Sequence, residues 1–467
     1  MQPASSTRRV LAVAIAAALL PAVVHADPTN AELLQKIEEL SQKVLVLERK
    51  LEVQDEATKT AATTVPVVKA SPRGFSLASA DSQNQIKLRG VIHTDGRFFG
   101  SDDPEGLKDT WQATRVRPIV EGTLGGIYDF RITPDFGQGR TVIQDAYVTA
   151  RLKPQVQVTA GKFKVPVGLE RVQSASDIRM VARGFPTQLA PNRDVGLQVA
   201  GGFGGDRLSY AVAWLNGSND GGSSKAFADV DLNDDKEYAA RVFAHPFGDS
   251  ENFALRGLGV GIAGTYTSQT GTTAQPLLPV LRTPAQSTFF RYRTGTTPTL
   301  ADGERTRLAP QFYYYAGRFG LLGEYSTVSQ DVSRTATAGR REDTLDTTAW
   351  QVQASWFLTG EEESFRGFKP NNVFSLAKAT WGAFELVARY QELDPDDDAF
   401  VGGAASFADP ANAASQATAY GLGLNWYLNE NLKWVLNYDH TSFDGGAADG
   451  TDREDEDVFL TRFALGF

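Results

Sequence analysis

The sequence predicts an all-β fold: a closed, 16-stranded antiparallel transmembrane β-barrel preceded by a short N-terminal coiled-coil helix. Three observations predict it. From residue 85 to residue 467, segments of roughly ten residues alternate apolar side chains with polar or small ones. The face opposite the apolar one carries charges and glycines, which a soluble β-sandwich would not bury without partners. Tight turns such as LGGIYD alternate with long polar stretches such as 268–306, as expected for strands that end on two sides of a membrane.

Residues 1–26 are predicted to form a signal peptide. Arg8 and Arg9 precede an apolar run from Val10 to Val24, and Val24-His25-Ala26 offers a cleavage site. The run is short for a bilayer crossing, which disfavours a membrane anchor. We therefore expect export. The absence of cysteine excludes a disulfide framework, thiol catalysis and a zinc–thiolate site.

Residues 27–55 are predicted to form a periplasmic coiled-coil helix. Its apolar residues step alternately by four and three positions, which is the a/d spacing of a coiled coil. Because the stripe is narrow and short, self-association is favoured over the alternative of packing on a soluble domain. Residues 56–84, rich in Thr, Ala, Ser and Pro, read as a flexible linker before the barrel. The apolar a/d residues are Leu33, Ile37, Leu40, Val44, Leu47 and Leu51.

Individual strands show the alternation clearly. In TAWQVQASWFL (348–358), Trp350, Val352 and Trp356 oppose Gln351 and Gln353. Aromatic residues stand at the ends of such apolar stripes, as an interfacial girdle requires. Closure into a barrel removes the exposed strand edges that so many strands would otherwise leave. We therefore expect the outer membrane of a Gram-negative bacterium, with the lipid bilayer and lipopolysaccharide as surroundings.

Cationic side chains lie on the polar face of the first predicted strands. Arginine on the lipid face costs about 2–4 kcal/mol near the midplane, so these side chains are expected to face the lumen. The alternative is that each pairs with a wall carboxylate such as Glu121, Asp129 or Asp135. The predicted wall cations of the anion path are Lys87, Arg89, Arg115, Arg117 and Arg131.

The stretch 162–194 is predicted to form a constriction loop. It loses strand alternation, contains three prolines and follows the fifth predicted strand, which we expect to end near Gly161. A basic loop in a narrow pore focuses a positive potential, and arginine forks suit phosphate-like anions. Lys162 and Lys164 are expected to face the ion path. The predicted cations of the loop and its approaches are Lys162, Lys164, Arg171, Arg179, Arg183 and Arg193, and Arg291, Arg293, Arg305 and Arg307 are expected to funnel anions from outside.

Other functions have weaker support. The GxGxxG match at 259–264 lies inside an alternating strand, not between a strand and a helix, which disfavours nucleotide binding. His93, His245 and His440 are scattered, and a lipase built on His440 lacks a serine context. The acidic segment 229–237 lacks the spacing of a complete calcium loop. With a net charge of −10, nucleic acid is an unfavourable partner, and we expect no enzyme, cofactor or metal.

The stretch 161–201, GKFKVPVGLERVQSASDIRMVARGFPTQLAPNRDVGLQVAG, resembles the signature of the phosphate- and polyphosphate-selective porins (the porin O and P family) of Gram-negative outer membranes. Arg115 and Arg117 before IVEG (119–122), and the run Asp145-Ala146-Tyr147, resemble the same family. The resemblance covers residues 85–467. It implies a trimeric barrel in which arginines guide anions to a constriction built partly by the loop after Lys164.

The predicted function is passive diffusion of anions, phosphate or short polyphosphate, through a positively charged constriction of a homotrimeric channel. We expect the N-terminal helix to help three barrels associate. Two alternatives remain open at this point. One is a general porin for small polar solutes or sugars, and the other is an envelope-tethering structural protein in which the coiled coil is primary and the barrel is its anchor.

Overall fold

The computed structural model describes residues 30–100, 108–205, 207–218, 220–222, 234–337, 339–367 and 369–467. The predicted signal peptide therefore lies outside the described residues, as does most of the acidic segment 229–237. The chain divides into two compact units, one ending at Val65 and the other running from Pro66 to Phe467. Within the described residues, no helix is both long enough and apolar enough to cross a membrane.

The first unit contains α1 (Asn30–Thr64), a helix of 35 residues. Its predicted a/d side chains are exposed, with Ile37 at 61% and Leu40 at 62%. The helix ends just before Pro66, since proline cannot donate the next helical hydrogen bond. It therefore runs nine residues beyond the predicted end at residue 55, into the segment that we expected to be a linker.

The rest of the expected linker also contains regular structure. β1 (Val67–Ser71) and β2 (Gly74–Ala78) form a hairpin. β2 then pairs with the beginning of the first barrel strand, Phe75 opposite Leu88. The flexible linker predicted for 56–84 is replaced by the end of α1 and this hairpin, because pairing with a long barrel strand satisfies its backbone groups.

The second unit is a closed antiparallel barrel. Its sheet has eighteen strands, and β1 and β2 form the appended hairpin, which leaves sixteen in the wall of the described chain. Each wall strand pairs with the next, and the last pairs with the first, Phe459 opposite Phe98. The strands are β3 (Gln85–Phe99), β4 (Thr110–Leu124), β5 (Tyr128–Asp135), β6 (Val142–Lys153), β7 (Val156–Lys164), β8 (Arg193–Phe203), β9 (Leu208–Leu215), β10 (Glu237–Ala244), β11 (Leu258–Thr270), the loop strands β12 (Val280–Arg282) and β13 (Thr288–Arg291), β14 (Thr299–Ala316), β15 (Phe319–Ala336), β16 (Gly339–Phe357), β17 (Ala383–Asp394), β18 (Ala414–Tyr427), β19 (Leu432–Gly445) and β20 (Glu456–Gly466).

Short helices occur only in the connections of the described residues. Two are single α-helical turns, and four are 3₁₀ turns. They are α2 (Leu169–Val172), α3 (Phe253–Arg256) and the 3₁₀ turns Gly137–Gly139, Phe185–Gln188, Asp397–Ala399 and Gly403–Ala405.

Side chains in the wall alternate between the outside and the lumen. In β18, Tyr420 and Leu422 point outward and are 45% and 60% exposed, whereas Ala419 and Asn425 are buried on the inner side. An apolar outer face matches the lipid hydrocarbon, and closure leaves the wall without an unpaired edge. The predicted fold class is confirmed.

The segment around Gly161 differs from the prediction, because β7 continues to Lys164 instead of ending near Gly161. Gly161 has a φ of +121°, which breaks the regular alternation. β7 pairs with β6 only as far as Lys162 but stays paired with β8 until Lys164 lies opposite Arg193. The end of β7 and the start of β8 thus leave β6 together and carry the connection between them, residues 165–192, which we call the inner loop.

The inner loop contacts the wall on the far side of the barrel. The backbone N–H of Glu170 donates to Oε2 of Glu324 in β15 (2.8 Å), and the N–H of Phe185 donates to Oε1 of Gln391 in β17 (2.8 Å). The N–H of Val181 reaches an oxygen in β19 in the same way. Buried backbone N–H groups need hydrogen-bond partners, and here the wall side chains provide them. These hydrogen bonds therefore hold the inner loop across the lumen.

A second connection, residues 271–298, also packs inside; we call it the hairpin loop because it contains β12 and β13. Its Phe289 and Phe290 join Phe185 of the inner loop in one buried cluster. Wall residues of β15 to β19, among them Val328 and Phe443, complete that cluster. This apolar packing fills the side of the lumen next to β15–β19.

We expect Gly161→Val to destabilise the barrel. A Cβ at this position would lie 2.3 Å from the carbonyl oxygen of Ala146, and the φ of +121° is strained for any side chain. The cost is on the order of 1–3 kcal/mol or more. The free energy of unfolding, measured by urea titration of protein in detergent micelles, should fall accordingly. Ala160→Val, on the exposed outer face, is the matched control. Equal stability of the two variants would contradict the claim that the backbone at position 161 requires glycine.

Candidate functional site

The lumen keeps a cavity of about 610 Å³ between β3–β6, the inner loop and the hairpin loop. Nine cationic side chains line it, but only three carboxylates do. We call it the basic cavity. Its cations are Arg97, Arg115, Arg117, Arg140, Lys162, Arg171, Arg183, Arg282 and Arg462, and its carboxylates are Asp95, Asp135 and Asp220.

Each of the three carboxylates is already held by an arginine. Asp95 accepts two hydrogen bonds from Arg462, both of 2.6 Å. Asp135 lies 2.7 Å from Nε of Arg117. Asp220 is held by Arg307 of β14, at 2.5 Å. Because these negative charges are matched, the other cations give the cavity an excess of positive charge.

The excess guanidinium groups contact neutral acceptors. Arg183 donates to the carbonyls of Glu170 (3.0 Å) and Gln173 (3.1 Å). A carbonyl orients a guanidinium group without cancelling its charge. The other bonds of this kind run from Arg97 to the Ala285 carbonyl (3.2 Å), from Arg282 to the Gln286 carbonyl (3.0 Å), from Arg171 to the Thr187 carbonyl, and from Arg115 to a ring nitrogen of His93 (3.0 Å).

Burial and neighbouring positive charges lower the pKa of two arginines of the inner loop. Burial, and after it repulsion from Arg183 and Arg193, lowers the pKa of the Arg171 guanidinium to about 9. Burial lowers the pKa of Arg183 to about 10, although the Glu170 carboxylate opposes the shift. Both groups stay protonated at neutral pH. A bound anion would relieve their repulsion, since an opposite charge favours the charged form.

Of the eleven predicted path residues, five line the basic cavity and six do not. Lys162 is among the five, whereas Lys164 donates to the carbonyls of Val172 (3.4 Å) and Gln173 (3.0 Å) and so fastens the inner loop. The five are Arg115, Arg117, Lys162, Arg171 and Arg183, and the six are Lys87, Arg89, Arg131, Lys164, Arg179 and Arg193.

Three of the six pair with wall carboxylates. Arg89 lies 3.3 Å from Glu121, and Arg131 lies 3.7 Å from both Glu121 and Asp145. Arg193 lies 2.8 Å from Asp145. Lys87 is half-buried in β3. For these wall cations, the alternative of pairing across the wall describes the geometry found.

Arg179 fastens the inner loop to the wall. Its Nε lies 2.7 Å from Glu385, and its Nη2 contacts Glu363. Glu385 also accepts hydrogen bonds from Asn425 (2.9 Å) and Tyr427 (2.6 Å). Both carboxylate oxygens of Glu385 are thus hydrogen-bonded, and this buried contact fixes the position of the loop.

Four cations of the basic cavity were not among the predicted path residues: Arg97, Arg140, Arg282 and Arg462. Arg97 and Arg462 could have been predicted from the sequence, because both alternate with outward-facing apolar residues in their strands. Arg282 lies in the hairpin loop, where no periodicity marks an inward side chain. Arg305 and Arg307, expected at an outer funnel, are instead buried against Glu237.

A closed sixteen-stranded barrel with an apolar exterior and a charged lumen defines an outer-membrane channel. The model of the family described as phosphate-selective porin O and P matches residues 86–467, and the chain belongs to this family. The chain is 23% identical to Porin O of Pseudomonas aeruginosa over 417 residues, which cover 84% of this chain and 91% of that protein.

Two solved structures have a similar fold. The outer membrane channel DcaP of Acinetobacter baumannii has a TM-score of 0.50 and 14% identity, covering 82% of this chain and 97% of that chain. OmpF of Salmonella typhi, in complex with daunomycin, has a TM-score of 0.50 and 14% identity, covering 82% and 98%. The two structures support the barrel fold, and the family match confirms the predicted family, the Gram-negative outer membrane and a channel rather than an enzyme.

We expect Arg179→Met to loosen the inner loop. The change leaves Glu363 and Glu385 buried without their cation, which typically costs about 3–5 kcal/mol. Single-channel recordings should show a noisier current and extra conductance levels, because the loop is no longer fixed. Arg151→Met removes an exposed pair with Asp129 and should leave the current unchanged. A steady, wild-type-like current from Arg179→Met would contradict this role.

Proposed function

We propose that the protein is a passive anion channel that prefers phosphate or short polyphosphate. One observation carries the proposal: in the basic cavity, the three carboxylates are each held by an arginine, while further guanidinium groups rest on neutral acceptors. Such groups can exchange a carbonyl or water for an anion without breaking an ion pair. The family to which the chain belongs is described as phosphate-selective, and its relative is named Porin O, which agrees with this proposal.

The proposed mechanism is a series of weak, replaceable contacts. An anion that enters the cavity exchanges part of its water for N–H groups of Arg115, Arg183 and their neighbours. Guanidinium forks match two oxygens of a phosphate at once, so phosphate gains more than chloride does. Because the cations are spread along the cavity, each step replaces one contact by another, and the ion can leave as readily as it enters.

The paired wall cations have a different role in this proposal. Arg89 lies against Glu121, and Arg131 lies between Glu121 and Asp145, so the wall there keeps a weaker positive field than the basic cavity. Together with Lys87 they would form the approach on the barrel side where the chain enters β3. Lys164, Arg179 and Arg193 would act by holding the inner loop instead of contacting the anion.

The second candidate is a general or sugar porin. The ion pairs Arg89–Glu121, Arg193–Asp145 and Arg117–Asp135 favour it, because balanced charges select weakly between ions. A salt gradient across a planar bilayer separates the two candidates. An anion-selective reversal potential supports the anion channel, and a near-zero or cation-selective potential supports the general porin.

We expect the double variant Arg115→Gln, Arg183→Gln to lose phosphate binding. Each charge-assisted hydrogen bond contributes on the order of 1.5–3 kcal/mol, so the phosphate concentration that blocks half of the chloride current should rise at least about tenfold. The measurement is single-channel current in chloride with phosphate or pyrophosphate titrated in.

Arg151→Gln, which removes an exposed arginine outside the basic cavity, is the matched control and should block like the wild type. If phosphate does not block the wild-type chloride current at all, the phosphate preference is wrong, and only an anion-leaning pore remains.

We also propose that the channel is a homotrimer and that α1 helps to hold it together. The support is the exposed apolar stripe of α1, which includes Val44 (47%) and Leu51 (53%) and has a coiled-coil spacing. Helices with such a stripe bury it by packing against each other.

Deletion of residues 30–64 tests the role of α1 and leaves the β1–β2 hairpin on the barrel. We expect the heat-labile trimer band on native gels to disappear or to dissociate at lower temperature, with the single-channel conductance unchanged. A deletion variant that migrates as the same heat-labile trimer would show that α1 does not hold the subunits together. Loss of envelope attachment with intact trimers would support the tethering alternative.

A further inference from the structure

We propose that His93 is a positioning residue of the anion site. It orients the Arg115 guanidinium into the basic cavity and, because its ring is neutral, leaves the arginine charge uncompensated. This inference rests on the proposed anion channel and deepens it.

The geometry places the two side chains together. His93 in β3 stands directly opposite Arg115 in the β3–β4 register, and its side chain is completely buried. Nη1 of Arg115 lies 3.0 Å from Nδ1 of His93. A guanidinium group can only donate, so Nδ1 must accept with its lone pair. The imidazole is therefore neutral, and its proton is on Nε2.

Neighbouring arginines of the basic cavity have a different kind of partner. Two residues farther along β3, Asp95 takes both hydrogen bonds of Arg462, and Arg117 is paired with Asp135. In those pairs a carboxylate cancels the charge that it orients. At position 93 the same strand supplies a neutral acceptor instead. The partner of Arg115 therefore orients the guanidinium group without neutralising its charge.

A role in packing alone explains His93 poorly. Among the described residues, its Nε2 has no hydrogen-bond partner although the atom is buried. A buried donor without a partner destabilises the fold, so packing alone would favour an apolar side chain of similar size. The contact with Arg115 gives the imidazole a reason to be there.

Three substitutions separate the possible roles. In His93→Asn, the amide oxygen can take the place of Nδ1, so phosphate block and reversal potential should stay within about twofold of the wild type. His93→Asp has nearly the same shape as Asn but adds a carboxylate beside Arg115. We expect it to weaken phosphate block on the order of tenfold and to shift the reversal potential toward zero. His93→Leu removes the acceptor and should weaken block without adding charge.

A double-mutant cycle tests whether His93 acts through Arg115. In an Arg115→Gln background, His93→Leu should cause no further loss of phosphate block, because the group that it orients is absent. Additive losses would mean that His93 acts independently of Arg115. Unfolding by urea is the control for stability. If His93 were merely structural, its substitutions would change stability, but His93→Asn and His93→Asp would not differ in anion selectivity.

The outcomes distinguish this inference from the proposed function. A wild-type channel without anion selectivity overturns the proposed function itself. An anion-selective wild type in which His93→Asp and His93→Asn behave alike overturns only the role of His93. An Asn variant as impaired as the Leu variant also contradicts it, because the acceptor would then not be what matters.

Discussion

Closure of the sheet between β3 and β20 is the constraint on which the remaining structure depends. Lipid hydrocarbon offers backbone groups no hydrogen bonds, so every strand needs two neighbours. Once the wall is closed, strand parity decides which side chains meet lipid and which face the lumen. Charged residues of the spanning strands at the depth of the lipid hydrocarbon must then be accommodated inside. The crowded, buried ion pairs of this lumen are a direct result of that division.

Inside the barrel, arginines are held in two different ways. Arg179 and Arg193 lie against carboxylates, and these pairs fix the inner loop and the ends of its flanking strands. Arg115 and Arg183 lie against a ring nitrogen and carbonyl oxygens, which orient a cation but leave its field intact. The first arrangement provides rigidity and the second provides electrostatic potential. A functional lumen needs both, because a positive field in a loose loop would not stay in the ion path.

Sequence periodicity was sufficient for the barrel and for the inward parity of Arg115 and Arg117. It placed Arg115 on a strand and Arg179 in the loop, but it could not show which of the two arginines meets a carboxylate. Their roles depend on partners far away in the chain, such as Glu385, 206 residues from Arg179. The same limitation hid Arg282, whose position depends on how the hairpin loop packs. Around Lys162 and Lys164 the loss of strand alternation was a real signal, but its cause is the backbone of Gly161, which lets β7 and β8 leave β6 together.

The phenylalanine cluster that holds the inner loop and the hairpin loop also affects what can cross the membrane. Phe185, Phe289 and Phe290 are almost completely buried among wall residues, and no aromatic ring lines the basic cavity in the part of the chain that the structure describes. A flat aromatic solute therefore finds no ring on which to stack along this route. In the channel that we propose, this packing would leave the route of small hydrated ions lined mainly by charged and polar groups, without an aromatic ring among its described residues.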